Sequence, residues 1–220
     1  MAPATIDELL LGDEPDEWTA LGFSVRGRVC DVGSVRLRLG GPEAGHGIVR
    51  WSLRDVDSTE FDGLLTDSSQ EPQREPAPVH PNGAIAIDHV VVMSGDFDRT
   101  AEAVDAAGLQ LRRVREAPPR PRPVPDGPTR LAEAPPPPTR LGFYRLGEVL
   151  LELVEAPGTG PARFWGLVFV VEDLDACAAR LGDELGAIRP AVQRGRRIAT
   201  LRASANLGPE VAMISADARD

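Results

Sequence analysis

The chain carries an internal repeat. Ile6-Asp7-Glu8-Leu9-Leu10-Leu11 returns as Ile87-Asp88-His89-Val90-Val91-Val92, each followed by a helical stretch ending in glycine and an apolar residue, Gly22-Phe23 and Gly108-Leu109. Gly33-Ser34-Val35-Arg36-Leu37-Arg38-Leu39 returns as Gly147-Glu148-Val149-Leu150-Leu151-Glu152-Leu153. Val49 to Asp57 returns as Leu167 to Asp175. Three matches in one order define a duplicated β-α-β-β unit, and such a period constrains a fold more than any single motif. The copies differ mainly at positions where polar side chains could face a shared pocket.

The patterning fills in the units. Residues 5–11, 25–32, 35–39 and 48–53 read as strands. Residues 13–22 read as a helix capped by Asp13 or Asp16, and 58–65 as a short helix or turn. Residues 66–83, polar and with four prolines, read as a linker with a domain boundary near residue 80. Strands follow at 85–92, 109–116, 142–145, 149–155, 165–171, 196–203 and 210–215, with a further short one expected near residue 190. Helices read at 96–107 and 174–185. Residues 117–140 hold ten prolines in 24 positions, a composition for an exposed insertion. The division is therefore 1–65, a degenerate N-terminal repeat; 66–83, a linker; and 84–216, a domain of two modules expected to fold by itself.

Composition removes several function classes. Acidic residues outnumber basic ones 34 to 24, for a net charge of -10, so a nucleic-acid partner is not expected. Every basic residue is arginine, which removes Schiff-base chemistry and a phosphate-loop lysine. Cys30 and Cys177 form no paired motif and read as buried thiols. No secretory signal or membrane-length apolar run is visible, so a soluble, cytoplasmic protein without a membrane partner is expected. The sequence sets no oligomeric state.

The motifs Ile87 to Val92, Gly147 to Val154 and Gly166 to Asp175, in this order and spacing, resemble the vicinal oxygen chelate superfamily of glyoxalase, bleomycin-resistance and extradiol-dioxygenase proteins. The resemblance covers 85–216 well and 5–65 more loosely. It implies an α+β fold in which tandem βαβββ modules form a cupped mixed sheet. It also implies a divalent metal held in the cup by the first and last strands of each module. His89 and Glu152 stand at the first module's ligand positions and Gly166 and Ala212 at the second's. Glu8, Arg38 and Ile48 are the N-terminal counterparts. Gly166 and Ala212 bring no ligand atom and Arg38 is cationic, whereas a catalytic metal takes about three protein ligands. His46 and His80 lie in loops and are weak candidates to complete a set.

Glu152 sits in an apolar strand and needs a partner, for which His89 is the candidate. The two form either a His–carboxylate dyad suited to general-base work or a structural ion pair. Phe143, Tyr144 and Trp165 are candidate ligand-binding walls or core residues. Arg194, Arg196, Arg197 and Arg202 form a basic cluster for an anion or a protected strand edge. Asp55-Val56-Asp57 and Asp173-Leu174-Asp175 read as helix caps. The resulting expectation is a protein that binds a small molecule in the C-terminal cup and has no tightly held metal. Its alternative is an enzyme (lyase, isomerase or dioxygenase) that uses His89, Glu152 and one weakly held divalent metal. A third reading makes the proline-rich segment a contact for a protein partner.

Overall fold

In the computed structural model, residues 3–117 and 139–216 are described; the proline-rich insertion lies almost wholly outside them. The repeat in the sequence is a repeat of strand topology. The first half runs β1 (Thr5–Leu11), α1 (Pro15–Ala20), β2 (Val29–Val32), β3 (Val35–Leu39), β4 (Ile48–Arg54) and β5 (Thr66–Ser68). The second runs β6 (Ala84–Ser94), α2 (Phe97–Ala106), β7 (Leu111–Ala117), β8 (Thr139–Leu146), β9 (Val149–Glu155), β10 (Arg163–Val171), α3 (Leu174–Leu181), β11 (Arg189–Pro190), β12 (Arg197–Thr200) and β13 (Glu210–Ser215).

The second half forms one eight-stranded sheet, ordered β11-β12-β13-β10-β6-β9-β8-β7. Within each module the first strand lies parallel to the last, β6 with β9 and β10 with β13. The first strands, β6 and β10, meet antiparallel at the centre. These are the two expected βαβββ modules, related by a pseudo-two-fold axis between β6 and β10. The first half has the order β2-β3-β1-β4-β5, which is that of β8-β9-β6-β10-β13 with the outer strands missing. It is therefore an abbreviated pair of modules. The third sequence match needs one correction. Trp51 lies opposite Leu9 as Leu167 lies opposite Val90, so β4 corresponds to β10 two residues earlier than the sequence alignment places it.

Local chemistry sets the element ends. Asp96 accepts a hydrogen bond from the Arg99 amide at the start of α2, and Asp173 from the Asp175 and Ala176 amides at the start of α3. Glu14 takes the cap position of α1 in place of Asp13 or Asp16. Asp13 is engaged elsewhere, by the Trp18 indole N–H at 2.9 Å and the Gly208 amide at 2.8 Å. Residues 58–65 form a turn bridged between Phe61 and Leu64.

Segment 66–83, read as a linker, is laid down on the first half. It begins with β5, paired parallel to β4. The buried Arg54 guanidinium then donates to the Glu71 carbonyl, and Arg74 donates to the backbone and carboxylate of Asp7. Further on, Ala77 bonds Gly33, the Ser24 amide donates to His80 Nδ1, and Asn82 donates to the Leu21 carbonyl. A polar segment is held here by the backbone groups and charges that its neighbours leave unsatisfied.

One hydrophobic core serves both halves. Trp18 and Phe23 from the first half lie edge-on to Phe169 of β10, with ring centres 5.8 and 5.1 Å away, and Trp51 meets Phe164 at 5.2 Å. A smaller apolar cluster, Val168, Ala212 and Ile214 with Val170, Ala191 and Ile198, lies apart from it. Several of its members line a cleft over the sheet.

Candidate functional site

The site begins with a backbone irregularity. Opposite β10, His89 pairs with Val168 but Ile87 pairs with Phe169, so Asp88 is an extra residue in β6. In a regular strand neighbouring side chains point to opposite faces. A bulge re-aims them. Here it lets the Asp88 carboxylate reach the ring of the next residue, with Asp88 Oδ2 2.6 Å from His89 Nδ1. It also turns Ile87 into the main core, although simple alternation along the strand would put Ile87 on one face with His89 and Val91.

His89 then sits between two carboxylates, because Glu152 Oε2 lies 3.2 Å from its Nε2. Ionised carboxylates only accept, so both ring nitrogens donate and the ring is an imidazolium. Burial by itself would lower the His89 pKa; hydrogen bonds and charge from Asp88 and Glu152 outweigh it and push it up to about 9. Behind them, Arg196 Nη1 donates to Asp88 Oδ1 at 2.6 Å and Arg196 Nε to the Ser215 carbonyl at 2.7 Å. Burial alone would raise the Asp88 pKa, yet the bonds from His89 and Arg196 hold it below the ordinary value. Arg196, Asp88, His89 and Glu152 thus form a neutral alternating chain that ends at the cleft.

The cleft has a volume of about 290 Å³. His89 and Glu152 are among its polar lining residues, and Phe143, Trp165, Leu141, Val168 and Ile198 are among its apolar ones. Arg115 and Arg189 also line it, as does Val192, which is 73 % exposed. Of the sequence candidates, the structure brings together His89, Glu152, Phe143 and Trp165. Trp165 is itself the extra residue of a bulge in β10, since Phe164 pairs with Val92 and Gly166 with Val91.

Tyr144 does not belong to this group. It follows Phe143 in an unbroken strand and so points to the other face, where it is fully buried in the core. Its hydroxyl has no hydrogen-bond partner among the described residues, and burial pushes its pKa up. His80 is a core histidine packed on Phe23. Arg197 pairs with Asp175, away from the cleft residues. Cys30 and Cys177 are buried free thiols, pushed up by burial to about 12 and about 11. The sequence reading missed Asp88, Arg115 and Arg189. The bulge that makes Asp88 useful leaves no mark in hydrophobic alternation.

No family model and no curated protein matches this chain. Among solved structures, a variant of 4-hydroxymandelate synthase from Streptomyces coelicolor aligns with a TM-score of 0.62 at 15% identity, covering 100% of this chain and 94% of that one. The vicinal oxygen chelate fold is shown. Methylmalonyl-CoA epimerase from Mycobacterium tuberculosis aligns over 62% of this chain and 91% of its own, at 18% identity and a TM-score of 0.44.

The vicinal oxygen chelate fold gives the four cup positions a meaning that strand pairing can check. Laying the α3 cap Asp173 on the α2 cap Asp96 lays Gly166 on His89, Trp165 on Asp88 and Val168 on Val91. Val91 pairs with Glu152 and Val168 with Ala212, so Ala212 falls on Glu152. In the first half the same logic gives Glu8 for His89 and Arg38 for Glu152, and Arg50, not Ile48, for Gly166. Asp67 stands for Ala212. Bulges recur at the equivalent positions Asp7, Val49, Asp88 and Trp165. The first half closes its four positions with two ion pairs, Glu8–Arg38 at 2.8 Å and Arg50–Asp67 at 3.0 Å. The second has one pair, His89–Glu152, and two positions nearly without side chains.

Proposed function

We propose that this protein binds a small molecule in the cleft above His89 and Glu152, in the cytoplasm and without a tightly held metal. One observation carries the reading. Gly166 and Ala212 remove two of the four side chains that the N-terminal cup fills with ion pairs, and the space is bounded by apolar walls beside a charged pair. Clefts of this character, mostly apolar with a few convergent polar groups, are the usual form of ligand sites. The donor set does not fit a divalent metal: two of the four positions have no donor atom, and both nitrogens of His89 already face carboxylates. The two buried free thiols are in keeping with a reducing compartment.

A thermal-shift screen of a small-molecule library tests this, run on the wild type and on Ala212→Phe, which fills the cleft. Ligands should raise the melting temperature of the wild type and lose that effect in the variant. Hits that stabilise both proteins equally would place binding elsewhere. Elemental analysis after gel filtration, without chelators or an affinity tag, tests the second clause. Near one equivalent of zinc, iron, nickel or manganese, lost on His89→Ala, would replace the binding reading with that of a metalloenzyme.

A further inference from the structure

The two edge strands of the eight-stranded sheet, β7 and β11, hold equivalent places in the two modules, and each contributes one arginine to the cleft. Arg115 lies on β7 opposite Leu141, and Arg189 on β11 opposite Ile198; all four residues line the cleft. Neither arginine has a carboxylate partner among the described residues. Glu210 is the remaining charged group on the cleft wall. The His89–Glu152 pair cancels within itself, so two arginines against one carboxylate leave the cleft positive in a chain whose net charge is -10. Phe143, Trp165 and the exposed Val192 line the same cleft, the last an apolar side chain that a ligand would cover.

We infer that the ligand is an amphipathic organic acid: an aromatic or branched apolar body against Phe143, Trp165 and Val192, with a carboxylate, sulfonate or phosphate group taken by Arg115 and Arg189. This rests on the small-molecule reading above and adds the ligand's charge and shape. Arginine suits the role because its fork of donors matches a planar or tetrahedral anion and it keeps its charge. Positive potential confined to the cleft of an acidic protein also discriminates between ligands, since an anion is repelled by most of the surface and attracted only there.

The test uses two fluorescent probes with one skeleton. 8-Anilino-1-naphthalenesulfonate carries the anion; N-phenyl-1-naphthylamine lacks it. The sulfonate should bind the full-length protein with one-to-one stoichiometry and at least about tenfold more tightly than the neutral probe, the factor expected of a charged hydrogen bond. Arg115→Gln and Arg189→Gln should each remove most of that advantage, weakening the sulfonate by several-fold more than the neutral probe. Equal affinity for the two probes, or a sulfonate advantage that survives both substitutions, overturns the anion assignment while leaving the cleft reading intact. Failure of both probes to bind, or binding unaffected by Ala212→Phe, overturns the cleft reading itself and this inference with it. Arg189 is exposed and Arg115 half-buried, and an unchanged melting temperature in each variant separates a binding effect from misfolding.

Discussion

At the scale of single residues, the chain Arg196–Asp88–His89–Glu152 makes the strongest demands. Arg196 is the second cation on a buried carboxylate, so Arg196→Ala should cost about 3–5 kcal/mol, most of it the penalty of leaving one cation, His89, between the two buried carboxylates Asp88 and Glu152. Urea denaturation measures it, and a loss under about 1 kcal/mol would mean that the His89 imidazolium alone suffices for Asp88. Protonation of His89 adds a pH signature. The folded ring keeps its proton to about pH 9, whereas the unfolded ring releases it near the ordinary 6.5. The folded state thus binds more protons between these values, and stability falls as pH rises through them; below 6.5 the contribution is complete. Asp88 acts at the other end, with its depressed pKa contributing stability that is lost as pH falls through the folded value. His89→Gln should remove the alkaline slope from a profile of denaturation midpoint against pH; parallel profiles for the two proteins would refute the imidazolium. Tyr144 is the contrast. Its buried hydroxyl lacks a partner among the described residues, so Tyr144→Phe should be neutral or stabilising by up to about 1 kcal/mol, with probe binding unchanged.

At the scale of elements, the sequence and the structure part company at the bulges. Strands, helices and their order follow from periodicity and caps, and β9 and β13 have the bounds that the apolar runs predict. Strand faces follow only while pairing is regular. The face of Tyr144 was legible, since it alternates with Phe143 in regular pairing with β9, but aromatic composition outweighed alternation. Ile87 was not legible, since one extra residue at Asp88 reverses everything before it. β11, only two residues long, was expected near 190 but has no pattern of its own to fix its ends. The pairing of His89 with Glu152 was legible, because a carboxylate among Leu150, Leu151 and Leu153 requires a partner. The arginines of the cleft were not, since which edge residues curl over a cup depends on the curvature of the whole sheet. One glycine shows how tightly the cup is drawn. A Cβ at Gly166 would lie 2.4 Å from the Glu210 carbonyl oxygen on the neighbouring strand. Gly166→Val should therefore push β10 and β13 apart, costing about 1–3 kcal/mol and weakening the neutral probe as well as the anionic one. Unchanged binding with unchanged stability would mean that the strands accommodate the side chain without moving.

At the scale of the whole molecule, the two halves answer a question that the sequence poses but does not resolve. A polar, proline-bearing segment between two repeats reads as a linker, and a complete set of strands beyond it suggests an independent domain. The structure gives that segment a strand and several anchors, and it places Trp18 and Phe23 of the first half against Phe169 of the second, with Trp51 against Phe164. The duplicated topology offers a reason. Each half forms its sheet from abutting modules, but the first has only five strands and too little surface to enclose a core, so its inner face is completed by the second half. Trp18→Ala, at the seam, should cost about 3–5 kcal/mol and lower the stability of the molecule as one unit. A fragment of residues 84–216 would expose Phe164 and Phe169 to water. It should lack the single cooperative melt of the full chain and bind 8-anilino-1-naphthalenesulfonate diffusely, with no dependence on Arg115 or Arg189. Calorimetry on the full chain and on the fragment decides the matter. One transition in the first and none in the second is the expected result; a sharp transition in the fragment would show that the second half holds its own core and that the shared rings only decorate it.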